Sequence, residues 1–370
     1  MTGRRIVLAG GGTGGHIEPM LAVADALVAA DPGGSLTCLG TARGLEVDLV
    51  PARGYELRLI PPVPLPRKPT LDLVRVPGRL WGSVRAAGRI LLDTRAEAVV
   101  GFGGYVALPV YLAARRVHLP IVVHEQNAVP GLANRIGAHF AEVVAVTSPG
   151  TPLPRAQIVG MPLRPEIANL DRAASRTKAR AHFGLQPDLP TLLVFGGSQG
   201  ARRLNTELAG AADALRATGI QLLHAVGPKN VNAGQEDVAA TEAVPYAVLP
   251  YIERMDLAYA AADLALCRAG AVTCAELSAV GLPAVFVPLP IGNGEQRHNA
   301  EPVVQAGGGL LVEDAGLTRQ FLLDTVGPLL LDDEKLGAMA TATARFGRRD
   351  AAARMAELVL GVARGAGRKR

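Results

Sequence analysis

The residues best suited to chemistry in this sequence stand at the ends of apolar runs. Gly10-Gly11-Gly12-Thr13-Gly14-Gly15-His16 follows the run Arg5 to Ala9 and precedes the helical pattern Met20 to Val28. Glycines leave backbone N–H groups open to a ligand with no Cβ in the way. A helix N-terminus behind such a loop offers partial positive charge and unpaired donors to a phosphate. A bare strand-to-helix turn would need neither the Thr13 hydroxyl nor the titratable His16. His124-Glu125-Gln126-Asn127 follows the run Pro120 to Val123, and four polar side chains at a strand tip predict a functional role. Arg268-Ala269-Gly270-Ala271-Val272-Thr273-Cys274-Ala275-Glu276 follows Ala262 to Cys267. There, small residues let the Val272 and Thr273 N–H groups open the next helix toward an anion. Glu276 is expected in that helix's first turn. It either complements the helix dipole or accepts both hydroxyls of a ribose. The segment Ile291 to Asn299, rich in amides and charges, reads as a loop that meets sugar hydroxyls or merely solvent.

The first loop also fits G-x-G-x-x-G at Gly10, Gly12 and Gly15. A dinucleotide enzyme would carry an acidic residue at the end of its second strand, to hold a ribose. The second strand, Ser35 to Leu39, runs into Gly40-Thr41-Ala42, and no carboxylate stands there. A dehydrogenase is thereby disfavoured.

These sites require strands to end at them and helices to start from them. Leu57 to Ile60, Ala98 to Phe102, Val143 to Val146, Thr191 to Phe195, Gln221 to Gly227 and Pro283 to Pro288 read as further strands. Helical segments alternate with them, so the pattern predicts parallel sheets covered by helices. Gly103-Gly104-Tyr105 is a second backbone-exposing turn. Gly196-Gly197-Ser198-Gln199-Gly200 repeats the opening plan in the second half. Five prolines punctuate Ser148 to Glu166, which reads as the linker. Two domains, each with a glycine loop at its strand ends, predict a ligand site where they face each other.

At 370 residues the chain has the length of two domains. Its 43 glycines and 27 prolines suit many short turns. A net charge of +5, much of it at the C-terminal tail, lacks the dense basic stripe with aromatics of a nucleic-acid binder. No nucleic-acid partner is expected. Cys38, Cys267 and Cys274 lie in apolar segments without metal spacing and read as buried thiols of a reducing compartment. No signal peptide or transmembrane run is legible. The proline-rich stretch 61–69 reads as a surface loop. The segment Leu71 to Leu92 then mixes Leu73, Val76, Leu80 and Trp81 with Arg75, Arg79, Arg85 and Arg89, and Pro77 and Gly78 are expected to interrupt it. It is either an ordinary surface helix with its apolar side in the core, or an apolar tip ringed by arginine that touches anionic lipid.

Four motifs, Gly11 to His16, His124 to Asn127, Gly196 to Ala201 and Cys267 to Ala271, together resemble the bacterial peptidoglycan N-acetylglucosaminyltransferases. This is the MurG family of GT-B glycosyltransferases, and the likeness runs in order from about residue 4 to 360. The resemblance implies an α/β GT-B fold, two Rossmann-like doubly wound parallel-sheet domains facing a cleft. Residues 1–163 would form an acceptor and membrane-associating domain, and residues 164–345 a UDP-sugar-binding domain. A C-terminal helix within 346–364 would pack back on the first. The implied partners are UDP-N-acetylglucosamine, lipid I (undecaprenyl-diphospho-muramoylpentapeptide), anionic lipid of the inner leaflet, and proteins of cell-wall synthesis and division. The chain would work peripherally at the cytoplasmic face of the cell membrane.

By position, the resemblance places the Ile252 backbone at the uracil, Glu276 at the ribose and Gln296 at the sugar. Ser198, Arg268, Ala271, Val272 and Thr273 would join the donor site. Thr13, Gly14, Gly15, Asn127 and Arg164 would line the cleft. An α-linked donor and β-linked product imply inversion, with His16 as the first candidate for general base and Glu125 as the second. Ala269 and Glu295 depart from the commoner serine and glutamine, so one hydroxyl contact is absent and the loop's choice of hydroxyl is open. No Asp-x-Asp motif stands at a strand end, so neither metal nor cofactor is expected. Two other classes stay open: a GT-B enzyme with a different acceptor, and a non-catalytic nucleotide-sugar binder.

Overall fold

A computed structural model describes residues 3–63, 75–197, 201–230, 244–291 and 293–367. The chain forms two compact units, Met1–Arg164 with Arg349–Arg370, and Pro165–Arg348. In chain order the first unit contains β1 (Arg5–Ala9), α1 (Gly14–Ala30), β2 (Ser35–Gly40), α2 (Glu46–Ala52), β3 (Glu56–Leu59) and α3 (Val76–Asp93). It continues with β4 (Ala98–Gly101), α4 (Gly104–Arg116), β5 (Ile121–Glu125), α5 (Leu132–Gly137), β6 (Val143–Val146) and β7 (Ala156–Ile158). The second unit holds α6 (Pro165–Ala168), α7 (Arg172–His182), β8 (Thr191–Phe195), α8 (Arg202–Ala217), β9 (Gln221–Ala225), β10 (Tyr246–Leu249) and α9 (Met255–Ala261). β11 (Leu264–Cys267), α10 (Ala271–Val280), β12 (Ala284–Phe286), α11 (Glu295–Gln305) and β13 (Gly309–Leu311) follow, with α12 (Arg319–Phe321), α13 (Gly327–Leu330) and α14 (Asp333–Ala344). Helix α15 (Ala351–Gly367) returns to the first unit.

The first sheet runs β3-β2-β1-β4-β5-β6-β7 and the second β10-β9-β8-β11-β12-β13. Every neighbouring pair is parallel, with Val7 opposite Thr37 and Val99 in one sheet and Val194 opposite His224 and Leu266 in the other. Both are doubly wound, as the βα alternation predicts. The order reverses between β1 and β4, and again between β8 and β11. Open sheets of this kind bind ligands at the strand C-termini beside that reversal. Gly10 to Gly15, Gly103-Gly104, Gly196-Gly197 and Ala269-Gly270-Ala271 stand at these two points.

Side chains alternate across each strand. Ile6 and Leu8 face a core layer completed by Ile17, Met20 and Leu21 of α1 and Met355, Val359 and Ala363 of α15. Val7 and Ala9 face the layer of α3 and α4, with Val84, Ile90, Val106 and Val110. In the second unit Leu192 and Val194 pack on Leu204 and Leu208 of α8. The three cysteines are buried and free. Burial pushes the Cys38 and Cys274 thiols up to about 12, so they are inert packing groups.

Some boundaries differ from the sequence expectation. The expected linker contains β7, which pairs with β6 as a seventh strand. Three residues between prolines carry too little pattern to announce a strand. Pro77 lies in the first turn of α3 and starts that helix instead of interrupting it. At that position its missing N–H costs nothing, because the first N–H groups of a helix have no intrahelical acceptor. Gly294, at φ +79°, turns the chain into α11, so Glu295 to Asn299 are helical and the true loop is shorter.

Candidate functional sites

In the first unit the loop after β1 uses its glycines in two ways. Gly10 and Gly11 face inward. A Cβ on Gly10 would crowd the His16 carbonyl at 3.1 Å, and one on Gly11 would meet the Glu46 carboxylate at 2.6 Å. Gly12, at φ +91°, and Gly14 face open space, with no atom within 4 Å of a Cβ at either. Helix α1 starts at Gly14, earlier than its apolar pattern suggests, with Thr13 as extended N-cap. The His16 and Ile17 N–H groups return to the Thr13 carbonyl. Gly14 and Gly15 present the first helical N–H groups, which have no intrahelical acceptor. Thr13, Gly14 and Gly15 thus form a donor edge with room before it.

His16 is half-buried, and its Nδ1 lies 3.1 Å from Thr13 Oγ1. Burial lowers its pKa to about 4, and the nearby Glu46 carboxylate opposes that shift. The ring is therefore neutral at physiological pH. Its Nε2 end lies over Gly103, where a Cβ would be 3.3 Å from Nε2 and 3.2 Å from Asn134 Nδ2. Gly103, at φ +86°, therefore supplies both an unusual backbone angle and the space for the ring.

Glu125 ends β5 almost wholly buried. One carboxylate oxygen accepts the Asn127 N–H at 2.9 Å and Asn127 Nδ2 at 3.4 Å. The other accepts the Gly131 N–H at 3.0 Å and Asn134 Nδ2 at 2.9 Å. Tyr111 donates to Asn134 Oδ1 at 2.8 Å and completes a buried relay. Four donors on two oxygens suit a group that shapes the β5–α5 loop and aims Asn127. Burial raises the Glu125 pKa, and those donors pull it back. His124 faces inward, with Nε2 on the Gly160 carbonyl at 2.9 Å. Arg164 pairs with Glu18 of α1 at 3.7 Å.

In the second unit, α10 opens with Gly270 as N-cap and Ala271, Val272 and Thr273 as its first three residues. Their N–H groups form the corresponding donor edge. Glu276 is the sixth residue of α10, in the second turn and not the first as expected, because the helix starts at Ala271. A dipole-capping role is weakened accordingly. Glu276 is buried, and Tyr259 of α9 donates to its Oε2 at 2.8 Å. Gln296 accepts the N–H groups of Ala269 at 3.2 Å and Leu289 at 3.0 Å through one carbonyl oxygen. Its amide is thereby oriented with the NH₂ end available as a donor.

Arg268, expected in the donor site, turns to protein partners. It donates to the Val287 and Pro288 carbonyls and pairs with Asp314 at 2.6 Å. The side chain is only 12% exposed, so it braces the loop after β12 rather than reaching a ligand. Ile252 is buried just beyond β10, so only its backbone suits recognition. Ser198 lies outside the described residues.

The basic segment is helix α3, and its apolar face is core. Val84, Ala87, Ile90 and Leu91 are buried against α4, and Leu80, expected at a membrane, is turned to the same layer. Trp81 is 49% exposed, with the Arg116 guanidinium 4.8 Å above its ring. Arg75 and Arg79 are exposed and Val76 half-buried at the same end. Leu73, and Arg67 and Lys68 expected beside it at the lipid, lie outside the described residues. Among the described residues, no helix is long and apolar enough to cross a membrane, and no group of three His, Cys, Asp or Glu side chains is arranged around a metal.

Sequence reasoning passed over Glu46, Tyr259, Asn134 and Tyr111, which hold the chosen residues in place. The glycines gave an indirect signal. Gly101 and Gly137 leave space for Tyr111, and Gly11, Gly40 and Gly44 for Glu46.

Comparison with known proteins gives a consistent result. The glycosyltransferase family 28 N-terminal domain matches residues 6–146 and the C-terminal domain of the same family matches residues 191–355. A chain from Streptomyces avermitilis is 62% identical over 346 residues, covering 94% of this chain and 95% of its own. One from Mycobacterium sp. (strain JLS) is 59% identical over 368 residues, covering 98% of both. Each carries the name UDP-N-acetylglucosamine--N-acetylmuramyl-(pentapeptide) pyrophosphoryl-undecaprenol N-acetylglucosamine transferase. The crystal structure of Acinetobacter baumannii MurG superposes with a TM-score of 0.78 at 30% identity, covering 97% of this chain and 99% of that one. The glycosyltransferase of kitacinnamycin shares the fold at 17% identity, with a TM-score of 0.68 and coverage of 98% and 99%.

Proposed function

The chain belongs to glycosyltransferase family 28, and from that premise we propose that it transfers N-acetylglucosamine from UDP-N-acetylglucosamine to the muramoyl 4-hydroxyl of lipid I, giving lipid II and UDP. The observation that carries this reading is likeness to chains of that name at about 60% identity over nearly the full length.

The second unit holds the donor. Glu276, fixed by Tyr259, accepts the ribose hydroxyls, and the Ile252 backbone meets the uracil. The N–H groups of Ala271, Val272 and Thr273 face the diphosphate, with Ser198 expected beside them. Such donors stabilise charge as it develops on the leaving UDP. Gln296 donates its NH₂ to a sugar hydroxyl. From the first unit, Thr13, Gly14, Gly15, Asn127 and Arg164 contribute to the same substrate.

The acceptor oxygen attacks the anomeric carbon, the bond to the UDP oxygen breaks, and the configuration inverts from α to β. The acceptor proton passes to His16. If Nδ1–H donates to Thr13, the Nε2 lone pair is the base, and the ring is neutral before the reaction. A pKa of about 4 makes it a weak base in the free protein. A bound diphosphate raises it, as any nearby negative charge does. Glu125, with both oxygens doubly engaged, orients Asn127 and Asn134 instead.

The polyprenyl acceptor requires docking at the cytoplasmic leaflet. Trp81, with Val76, Arg75, Arg79 and Arg116, supports a peripheral contact with anionic lipid. The deciding experiment is incubation with radiolabelled UDP-N-acetylglucosamine and a lipid I analogue. Labelled product supports the reading. UDP binding without turnover would make the chain a nucleotide-sugar binder, and transfer only to another acceptor would change the substrate.

A further inference from the structure

Glu46 is wholly buried at the first position of α2, yet its carboxylate does not cap its own helix. Its Oε2 accepts the Gly12 N–H at 2.9 Å, while Oε1 accepts the Thr41 N–H at 2.8 Å and the Thr41 hydroxyl at 3.0 Å. These bonds tie the loop after β1 to the loop after β2. Three glycines surround the side chain. A Cβ on Gly44 would lie 1.8 Å from Oε2, one on Gly40 2.5 Å from Cγ, and one on Gly11 2.6 Å from Oε1. The carboxylate therefore occupies a fitted space beneath the first glycine loop.

The consequence for the loop is geometric. The bond to Glu46 turns the Gly12 N–H inward, at the residue whose φ is +91°. The open face beyond it is left to Thr13, Gly14 and Gly15, and the ring of His16 follows within the first turn of α1. A carboxylate facing the ligand would repel an anion; this one faces three protein donors instead. We propose that Glu46 is the positioning residue of this loop, setting the direction in which its donor edge and His16 face the substrates. The proposal rests on the functional reading given above.

Glu46→Gln tests it with little change of volume. An amide has one acceptor oxygen, so its NH₂ must oppose either the Gly12 or the Thr41 N–H. Gly44→Ala is the second variant. Gly44 lies outside the left-handed region, so its new Cβ acts only by displacing the carboxylate, whose charge is kept. Hydrogen exchange on the full chain, read on peptides covering residues 10–15, reports the loop directly. Transfer from UDP-N-acetylglucosamine to a lipid I analogue, with UDP binding by calorimetry, reports its use. We expect faster exchange confined to the loop and α2, UDP affinity within about three-fold, and kcat lower by roughly 10–100-fold, the scale of a group misplaced by about 1 Å. Unchanged exchange in both variants overturns the strut, whatever happens to activity. Faster exchange with unchanged kcat overturns the positioning role. A wild-type chain that transfers no sugar refutes the functional reading alone, because the exchange experiment still decides whether Glu46 holds the loop.

Discussion

The assignment of Glu276 to the ribose makes a prediction in which stability and binding can be separated. Each charge-assisted hydrogen bond to a carboxylate contributes about 1.5–3 kcal/mol. Loss of even one such bond in Glu276→Ala should weaken UDP binding by roughly ten-fold to 150-fold, at about 1.4 kcal/mol per decade, and loss of both by more. The same change removes a hydrogen-bond acceptor of Tyr259, a residue only 1% exposed. A buried hydrogen bond to a charged group contributes about 1.5–3 kcal/mol. In a unit of this size its loss lowers Tm by roughly 2–4 °C per kcal/mol. Tyr259→Phe breaks the same hydrogen bond, so adding it to Glu276→Ala should lower Tm little further and restore no affinity. Tyr259→Phe alone should weaken UDP several-fold, because the carboxylate loses one orienting donor. Calorimetric titration with UDP and with 2′-deoxyuridine diphosphate reads the nucleotide side. Wild type should prefer UDP by about ten-fold or more, and Glu276→Ala should discriminate little. Equal losses for both nucleotides, or full UDP affinity in Glu276→Ala, would remove Glu276 from the ribose.

Three further outcomes follow from the geometry. His16→Ala should lower kcat by about 10²–10⁴ with UDP affinity held within a few-fold, whereas Glu125→Gln should alter the β5–α5 loop; the opposite pattern would exchange their roles. Trp81→Ser with Arg75→Glu and Arg79→Glu should abolish sedimentation with anionic vesicles and spare UDP binding, and unaltered sedimentation would remove this patch from the membrane contact. His124 and His224 are wholly buried with pKa values of about 4, both lowered by burial. Between pH 6.5 and 4 the unfolded chain takes up these protons and the folded chain does not, so stability falls as pH drops through that window. At pH 5 each histidine should cost about 2 kcal/mol relative to pH 8. His224→Gln should flatten the Tm–pH curve of the second unit, and an unchanged slope would disprove the linkage.

What was legible in the sequence, and what was not, divides along one physical line. Strands with helices after them announce themselves by local periodicity, so β1, β4, β8 and β11 and the loops after them stand out from residue types alone. The sheet order that brings Gly10–Gly15 beside Gly103–Gly104 is a long-range property, but right-handed βα crossovers restrict it to few choices. Helix starts were less legible. Gly14 and Ala271 open helices before any apolar repeat is visible, and for that reason Glu276 was expected a turn too early. The Leu71 to Leu92 segment was ambiguous because one helix serves both readings, burying Val84 and Ile90 while exposing Trp81.

The least legible residues are the carboxylates that shape loops. Glu125 stands inside a motif and looks like a reacting group, yet four donors converge on it. Glu46 stands in no motif, yet Gly12 and Thr41 converge on it. A buried carboxylate is tolerated only where donors satisfy it. For Glu46 one donor comes from far along the chain, the Gly12 N–H 34 residues away, whereas the donors to Glu125 stand 2, 6 and 9 residues beyond it. Neither set of contacts produces a helical or strand periodicity that could be read. The trace left in the sequence is indirect: glycine at positions 11, 40 and 44, where any side chain would collide with Glu46. Glycines that look like ligand-binding features thus divide into those open to a ligand and those that make room for the carboxylate beneath, and only the second kind points to Glu46.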